Sequence, residues 1–296
     1  MTLPILKLPF LVFQMVLESM GFIELFIFTR LSNKMKRIVK SQVKVRNYKM
    51  RVFFEENFGL RISNENHMEM FVVDVLEKYK PEDDGFPLKL GNAEGIISGF
   101  YFSEDCEDLF VTFWNDLMAG FREFIVEAME IFPCPIESIT IDNVGQHCEE
   151  LVQWASGLTI ERVSLTGGEF GVHHLQAFNV SSIKLYDASL SDQDIHDFFD
   201  ALSNGRSNTN MKEGQILFVR DNFNLDFIMQ GLNVVWEENE DLVWPDNQTI
   251  EKYHLTLSNG ETGTIKHRII EVEIPNGPDR EYLTFDVEIV RREVNQ

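Results

Sequence analysis

An apolar triplet with the spacing LxxLxL recurs through the middle of the chain. It comprises Ile136, Ile139 and Ile141, then Ile160, Val163 and Leu165 24 residues on, then Val180, Ile183 and Leu185 after a further 20. Ile216 and Phe218 make a looser fourth copy. Helical stretches separate the copies at 149–155, 173–178 and 191–202. The last opens on a capping box, Ser191 with Asp194, and aligns Ile195, Phe198, Phe199 and Leu202 on one face. One strand–helix unit of this size cannot bury its apolar face without neighbours, so such units stack. The expected fold is a mixed α/β, leucine-rich-repeat-like body. An ordinary α/β arrangement with coincidental spacing is the alternative that the pattern leaves open.

Both flanks of this region carry strand signals. Upstream, Tyr48, Met50, Val52 and Phe54 alternate with Lys49, Arg51, Phe53 and Glu55, which is the period of a strand. Further strand-like runs follow at 59–63, 68–75, 87–90 and 96–102, and a turn is expected over Lys80–Gly85. A long helix is expected from Phe110 to Phe132, stopped by Pro133 and Pro135. Downstream, runs at 253–257, 264–274 and 282–290 are separated by Ser258-Asn259-Gly260 and Pro275-Asn276-Gly277-Pro278, so hairpins are expected from about residue 250. An antiparallel end sheet of this kind would cover the open edge of the stack.

The first forty residues differ in kind. Proline suits the first turn of a helix, and after Leu8-Pro9 the residues Val12, Met15, Val16 and Met20 fall on one helical face. Gly21 ends that helix, and a second, more apolar one spans about 23–31. Ser32 opens a third with Met35, Ile38 and Val39 inward and Lys34, Lys36, Arg37 and Lys40 on its polar face. Three short helices bury little by themselves, which points to a partner. Charge separates this head from the rest. Residues 1–52 carry ten Lys/Arg against two acids, a net of +8, whereas the remainder carries 16 against 46, a net of −30. An acidic body repels nucleic-acid phosphates, so no nucleic-acid partner is expected. The basic head suits an acidic protein, a membrane surface or the chain's own acidic body.

Taken together, Leu8-Pro9, Val12 and Val16, Met20, Glu24-Leu25 and Leu31-Ser32-Asn33-Lys34 resemble the F-box motif in order and spacing over about residues 5–45. Leu11 stands where family members usually have an acid, and Met35 where they usually have a tryptophan. Both features are similar to the divergent F-boxes of the large nematode families. The isoleucine and leucine strands, with the helix Leu190–Leu202, resemble the F-box-associated domain of the second type.

The resemblance implies an F-box at 1–45 and an F-box-associated domain at 46–296. It implies a substrate-recognition adaptor of a Skp–cullin–F-box ubiquitin ligase. Leu8, Pro9, Val12, Val16, Met20 and Leu25 would meet a Skp-family adaptor and, through it, a cullin. The body would hold an unknown protein target. A repeat-type interaction or structural protein that recruits no ligase is the rival.

Chemistry is sparsely signalled. Cys106, Cys134 and Cys148 form no CxxC pair, which argues against a zinc site or disulfide framework and for a reducing compartment, cytoplasmic or nuclear. The adjacent pair His173-His174 is expected to point apart and to lack a third ligand. Gly167-Gly168-Glu169-Phe170-Gly171 lacks the spacing of a dinucleotide fingerprint and the Lys-Ser/Thr of a P-loop, so it reads as a turn. No metal, no cofactor and no enzymatic activity are expected. Residues 10–28 include two carboxylates and a glycine, costly in a spanning helix, so no membrane partner is expected. Trp236 and Trp244 bracket the acidic run Glu237–Asp241 and are the candidate target-binding residues.

Overall fold

A computed structural model describes residues 9–42, 48–55, 58–64, 71–76, 85–90, 93–103, 106–114, 116–219, 223–237, 250–272 and 280–290. The expected turn at 80–84, most of the acidic run at 237–241, and the turn at 275–278 lie outside the described residues. The chain divides into two compact units, one of residues 1–53 and 57–137, the other of residues 54–56 and 138–296.

The first unit opens with helices α1 (Phe10–Glu18), α2 (Phe22–Arg30) and α3 (Asn33–Gln42). Strands β1 (Tyr48–Phe54), β2 (Phe58–Asn64), β3 (Phe71–Leu76), β4 (Gly85–Leu90), β5 (Ala93–Ser103) and β6 (Cys106–Trp114) follow, then helix α4 (Leu117–Ile131). The strands lie in the order β1-β2-β3-β6-β5-β4. Pairing is antiparallel at β2–β3, β4–β5 and β5–β6, and parallel at β3–β6.

The single long helix expected over 110–132 is a strand and a shorter helix. Leu109-Phe110-Val111-Thr112-Phe113-Trp114 is aromatic and β-branched, which favours a pleated surface. Asp116 then caps α4, its Oδ1 accepting from the Ala119 N–H at 2.9 Å.

The three N-terminal helices share a core with α4. Phe26 is fully buried, its ring centroid 4.9 Å from that of Phe124, and the Phe22 and Phe132 rings meet edge to face at 5.0 Å. Phe121, also on the buried face of α4, packs on Phe58 of β2. Each such phenyl ring contributes about 2–3 kcal/mol by leaving water, which three isolated short helices could not gather.

Salt bridges fringe the same contact. Lys36 lies 2.8 Å from Glu127 and 2.6 Å from Glu130, Lys40 lies 3.2 Å from Glu130, and Arg30 pairs with Glu127. The lysine hydrogen bonds hold the Glu130 carboxyl below its usual range. Part of the basic head is therefore spent on acids of its own unit. Elsewhere in the unit, nearly buried Glu137 meets Lys49 at 3.1 Å and Arg51 at 2.6 Å.

The second unit holds β7 (Ile136–Asp142), α5 (Cys148–Ser156), β8 (Ile160–Thr166), α6 (Val172–Ala177), β9 (Ser182–Tyr186), α7 (Asp192–Ser203), β10 (Glu213–Val219), α8 (Leu225–Met229), β11 (Val234–Glu237), β12 (Ile250–Thr256), β13 (Thr262–Val272) and β14 (Arg280–Val290). Its strand order is β7-β8-β9-β10-β14-β13-β12-β11. The pairs β8–β9 and β9–β10 are parallel. The C-terminal strand β14 pairs antiparallel with β10, so the end sheet continues from the last strand of the series. Ile139, Ile141, Val163, Leu165, Ile183 and Leu185 are all buried.

The ends of β7, β8 and β9 share one device. The N–H groups of Asn143, Gly167 and Asp187 donate to the carbonyls of Thr166, Tyr186 and Leu217, at 2.9, 3.0 and 2.9 Å. All three residues have positive φ, at 47°, 134° and 54°. Each corner turns the chain into its helix while binding the strand to the next one.

Gly120 of α4 lies where an added Cβ would fall inside the Trp114 ring. That ring is 2% exposed, and its Nε1 donates to Thr112 Oγ1 at 3.0 Å, so it has little room to withdraw. Gly120→Ala gains about 1 kcal/mol of helix propensity but forces an overpacked core, at about 1–3 kcal/mol. A lower urea midpoint for the variant is the expected result. An unchanged or raised midpoint would show that the ring yields.

Candidate functional site

The outward face of α1 is the largest exposed apolar feature among the described residues. Its inward stripe is Phe13 and Leu17, four residues apart and 7% and 1% exposed. Round the rest of the helix, Phe10, Leu11, Val12 and Met15 stand 61%, 71%, 44% and 68% exposed, and Leu31, just beyond α2, is 69% exposed. A helix apolar on every side has one stripe to give its own core and one left over.

The residues expected to meet an adaptor separate along this line. Pro9 and Val12 are exposed, Val16 and Met20 are half-buried, and Leu25 is buried inside the unit; Leu8 lies outside the described residues. Phe10, Leu11 and Met15 complete the exposed face of α1 and were not assigned to it from the sequence. Met35, in the tryptophan position of the F-box pattern, is 3% exposed and belongs to the core.

A second apolar exposure lies on β11, where Val235 and Trp236 are 64% and 56% exposed. Trp244 lies outside the described residues.

The histidine pair does converge, contrary to expectation. The His173 and His174 rings sit 3.8 Å apart, and Glu149 Oε2 lies 3.8 Å from His173 Nε2 and 3.1 Å from His174 Nε2. The three residues together have the donor set and spacing of a metal site. Proton placement argues against one. His174 Nδ1 accepts the Gly171 N–H at 2.9 Å, so the ring proton of neutral His174 sits on Nε2, where it donates to Glu149. An Nε2 that carries a proton has no lone pair for a metal.

Cys148 Sγ lies 3.7 Å from the same Nε2, a proximity hidden by 26 residues of sequence. The pair is not an activated nucleophile, because a protonated Nε2 cannot take the thiol proton. Burial and then the Glu169 and Glu149 carboxylates push the Cys148 thiol up to about 11. Burial does the same to Cys134, also up to about 11.

The F-box domain profile matches residues 5–47. Comparison with curated proteins and with solved structures finds no significant match. The matched span contains α1, α2 and α3, so it includes the exposed apolar face. An F-box implies binding to a Skp-family adaptor and, through it, a cullin. Among the described residues, no helix is long and apolar enough to cross a membrane.

Two histidines make the second unit sensitive to acid. Burial lowers the pKa of His174 below its ordinary 6.5, outweighing the Glu149 hydrogen bond, and burial lowers that of His267 against the opposing charge of Glu251. His267 is 4% exposed, packs on Phe223 and Phe285, and neither ring nitrogen has a hydrogen-bond partner among the described residues. Both rings bind fewer protons folded than unfolded. Their stabilising contribution is therefore complete above 6.5 and is lost as pH falls from there towards the lowered folded-state values. Urea midpoints should drop between about pH 7.5 and about pH 5, and His174→Gln with His267→Gln should flatten that slope. An unaltered slope in the double variant would assign the loss to other groups. Zinc, titrated into the full chain with a competing chelator dye, is expected to show no site that His174→Ala removes; a tight site lost in that variant would refute the proton placement.

Proposed function

We propose that this protein is a non-enzymatic substrate-recognition subunit of a Skp–cullin–F-box type ubiquitin ligase. The observation that carries the reading is the coincidence of the F-box match at 5–47 with the unpaired apolar face of α1. Phe10, Leu11, Val12 and Met15 form the centre of the adaptor contact, with Leu31 beside it. Val16 and Met20 lie at its border, and Leu25 acts from beneath by holding α2 in the core. The adaptor links the chain to a cullin and so to a ubiquitin-conjugating enzyme. Catalysis at the target is then a matter of proximity.

The remainder of the chain holds the protein target. Its resemblance to the F-box-associated domain of the second type supports that role. Three like corners at Asn143, Gly167 and Asp187, spaced 24 and 20 residues apart, favour reading β7–β10 as a leucine-rich-repeat-like stack. Raised cysteine pKa values and a protonated His174 Nε2 leave the most reactive side-chain groups among the described residues without an activated nucleophile, which supports a binding protein over an enzyme.

Val12→Asp combined with Met15→Asp should abolish co-purification with a Skp-family adaptor. Both side chains already stand in water, so the far-UV circular dichroism and the urea midpoint should stay near wild type, within about 0.5 kcal/mol. Undiminished co-purification by a folded double variant would sink the assignment.

A further inference from the structure

The strand β11 ends the sheet of the second unit and pairs only with β12 among the described residues. Its register sets Val234 opposite Leu255, Val235 opposite His254 and Trp236 opposite Tyr253. The Thr256 N–H donates to the Asn233 carbonyl at 3.0 Å, so that pair is of the hydrogen-bonded kind. Alternation along an antiparallel ladder then turns the polar groups of Val235 towards β12 and those of Trp236 outward. The Val234 N–H is used on Leu232 O at 2.9 Å, which leaves the Val234 carbonyl and both Trp236 groups facing away from the sheet. Natural edge strands are ordinarily blunted by charge, proline or cover. This one instead presents Val235 and Trp236, each more than half exposed, on opposite faces.

The surroundings select the charge of what would pair there. Helix α8, which leads into β11, carries the acid Asp226 and no Lys or Arg. On the Trp236 face, Tyr253 donates to Glu251 at 3.0 Å, and Asp226 of α8 lies close enough for its charge to bear on the same phenol. Phe227, 37% exposed, stands next to Asp226 in α8. Aromatic rings beside carboxylates favour a cationic side chain, and Val235 on the other face favours an aliphatic one. On that other face Lys252 and His254 both meet Glu237, at 2.5 and 2.7 Å, and Lys266 and Arg268 of β13 meet Glu288 and Asp286 of β14.

We propose that β11 is a docking edge that accepts an extended basic segment of a protein partner as an added antiparallel strand, with Lys or Arg alternating with small aliphatic residues. This is strand addition, in which main-chain bonds supply affinity and alternate side chains supply selectivity. It rests on the reading of the body as the target-holding part. A second copy of this chain is a poor occupant of the edge, because the chain carries a net charge of −22 and would bring its own acids to the contact.

The test uses the full chain and three fluorescein-labelled octapeptides in anisotropy titrations. One is Lys-Val-Lys-Thr repeated twice, the second replaces every Lys by Glu, and the third is the basic peptide N-methylated at alternate residues. Binding of the basic peptide alone is expected, weakening with added salt. Trp236→Pro should weaken it about tenfold or more, since it removes the outward N–H without touching the ladder to β12. Asp226→Lys, at an exposed position, should weaken it severalfold.

Absence of binding, equal binding of the acidic or methylated peptide, or indifference to both substitutions would overturn the proposal. So would concentration-dependent self-association in sedimentation that Trp236→Pro abolishes. Adaptor capture by the same preparations reports separately. Lost peptide binding with capture intact removes only the docking edge, and lost capture with peptide binding intact removes only the ligase reading.

Discussion

The second unit depends on one repeated backbone bond. At the end of each of three successive strands, a residue with positive φ aims its N–H at a carbonyl near the end of the next strand. That bond fixes register where the chain leaves the sheet, and the parallel register of β8 and β9 sets Val163 level with Ile183 and Leu165 level with Leu185. Burial of Val163 and Leu165 against Ile183 and Leu185 follows from it. Asn143 and Asp187 occupy left-handed corners that most side chains avoid, and the short polar side chains of Asn and Asp tolerate them best after glycine. At the third corner φ is 134°, which calls for glycine itself. A further left-handed residue, Asn208, is 2% exposed and gives its amide to the carbonyls of Leu175 and Phe178, at 3.0 and 2.8 Å, closing the end of α6.

The first unit obeys a different constraint, a surplus of apolar surface. The N-terminal helices place one stripe on α4, through Phe26 and its neighbours, and ion pairs from Arg30, Lys36 and Lys40 fringe that contact. Surface pairs of this type contribute little each, about 0–1 kcal/mol. Their value is orientation, since they dock the polar side of α3 on acids and leave α1 with its second stripe outward. An F-box helix must do both things at once. It has to be fixed firmly enough to present a rigid face, and it has to keep that face uncovered for a partner.

Much of this was legible from periodicity. The strands at 48–54 and 136–218, the capped helix after Ser191 and the hairpin strands after residue 250 all follow from apolar spacing and turn chemistry. Three features were not legible, each for a physical reason. Residues 109–114 continue an apolar run into α4, and a buried strand cannot be told from a buried helix by periodicity alone. Only the cap at Asp116 breaks the ambiguity. In α1, apolar residues occupy nearly every position, so spacing offers Val12 and Met15 as well as Phe13 and Leu17 for the core. Tertiary packing decides between them, and it chooses the second pair. The meeting of Cys148, Glu149, His173 and His174 arises because α5 and α6 are neighbours in the stack, a long-range fact that no local motif encodes.

Those same four residues show why proximity is a poor guide to chemistry. Two histidines, a glutamate and a cysteine within a few ångströms have the composition of a metal or thiol site. A single backbone N–H, from Gly171, fixes the His174 tautomer and with it the roles of the rest: Nε2 donates to Glu149, and the thiol beside it keeps its proton. The cluster is then a polar staple between α5 and α6, stabilising while the ring is neutral and weakening when acid charges it. The groups left with unmet capacity are of another kind, the apolar side of α1 and the outer backbone of β11. One unit offers an exposed apolar helix face and the other an exposed strand edge. On the proposed function, a chain that holds a scaffold and a target at once needs two such surfaces of unlike geometry, because like surfaces would compete for one partner.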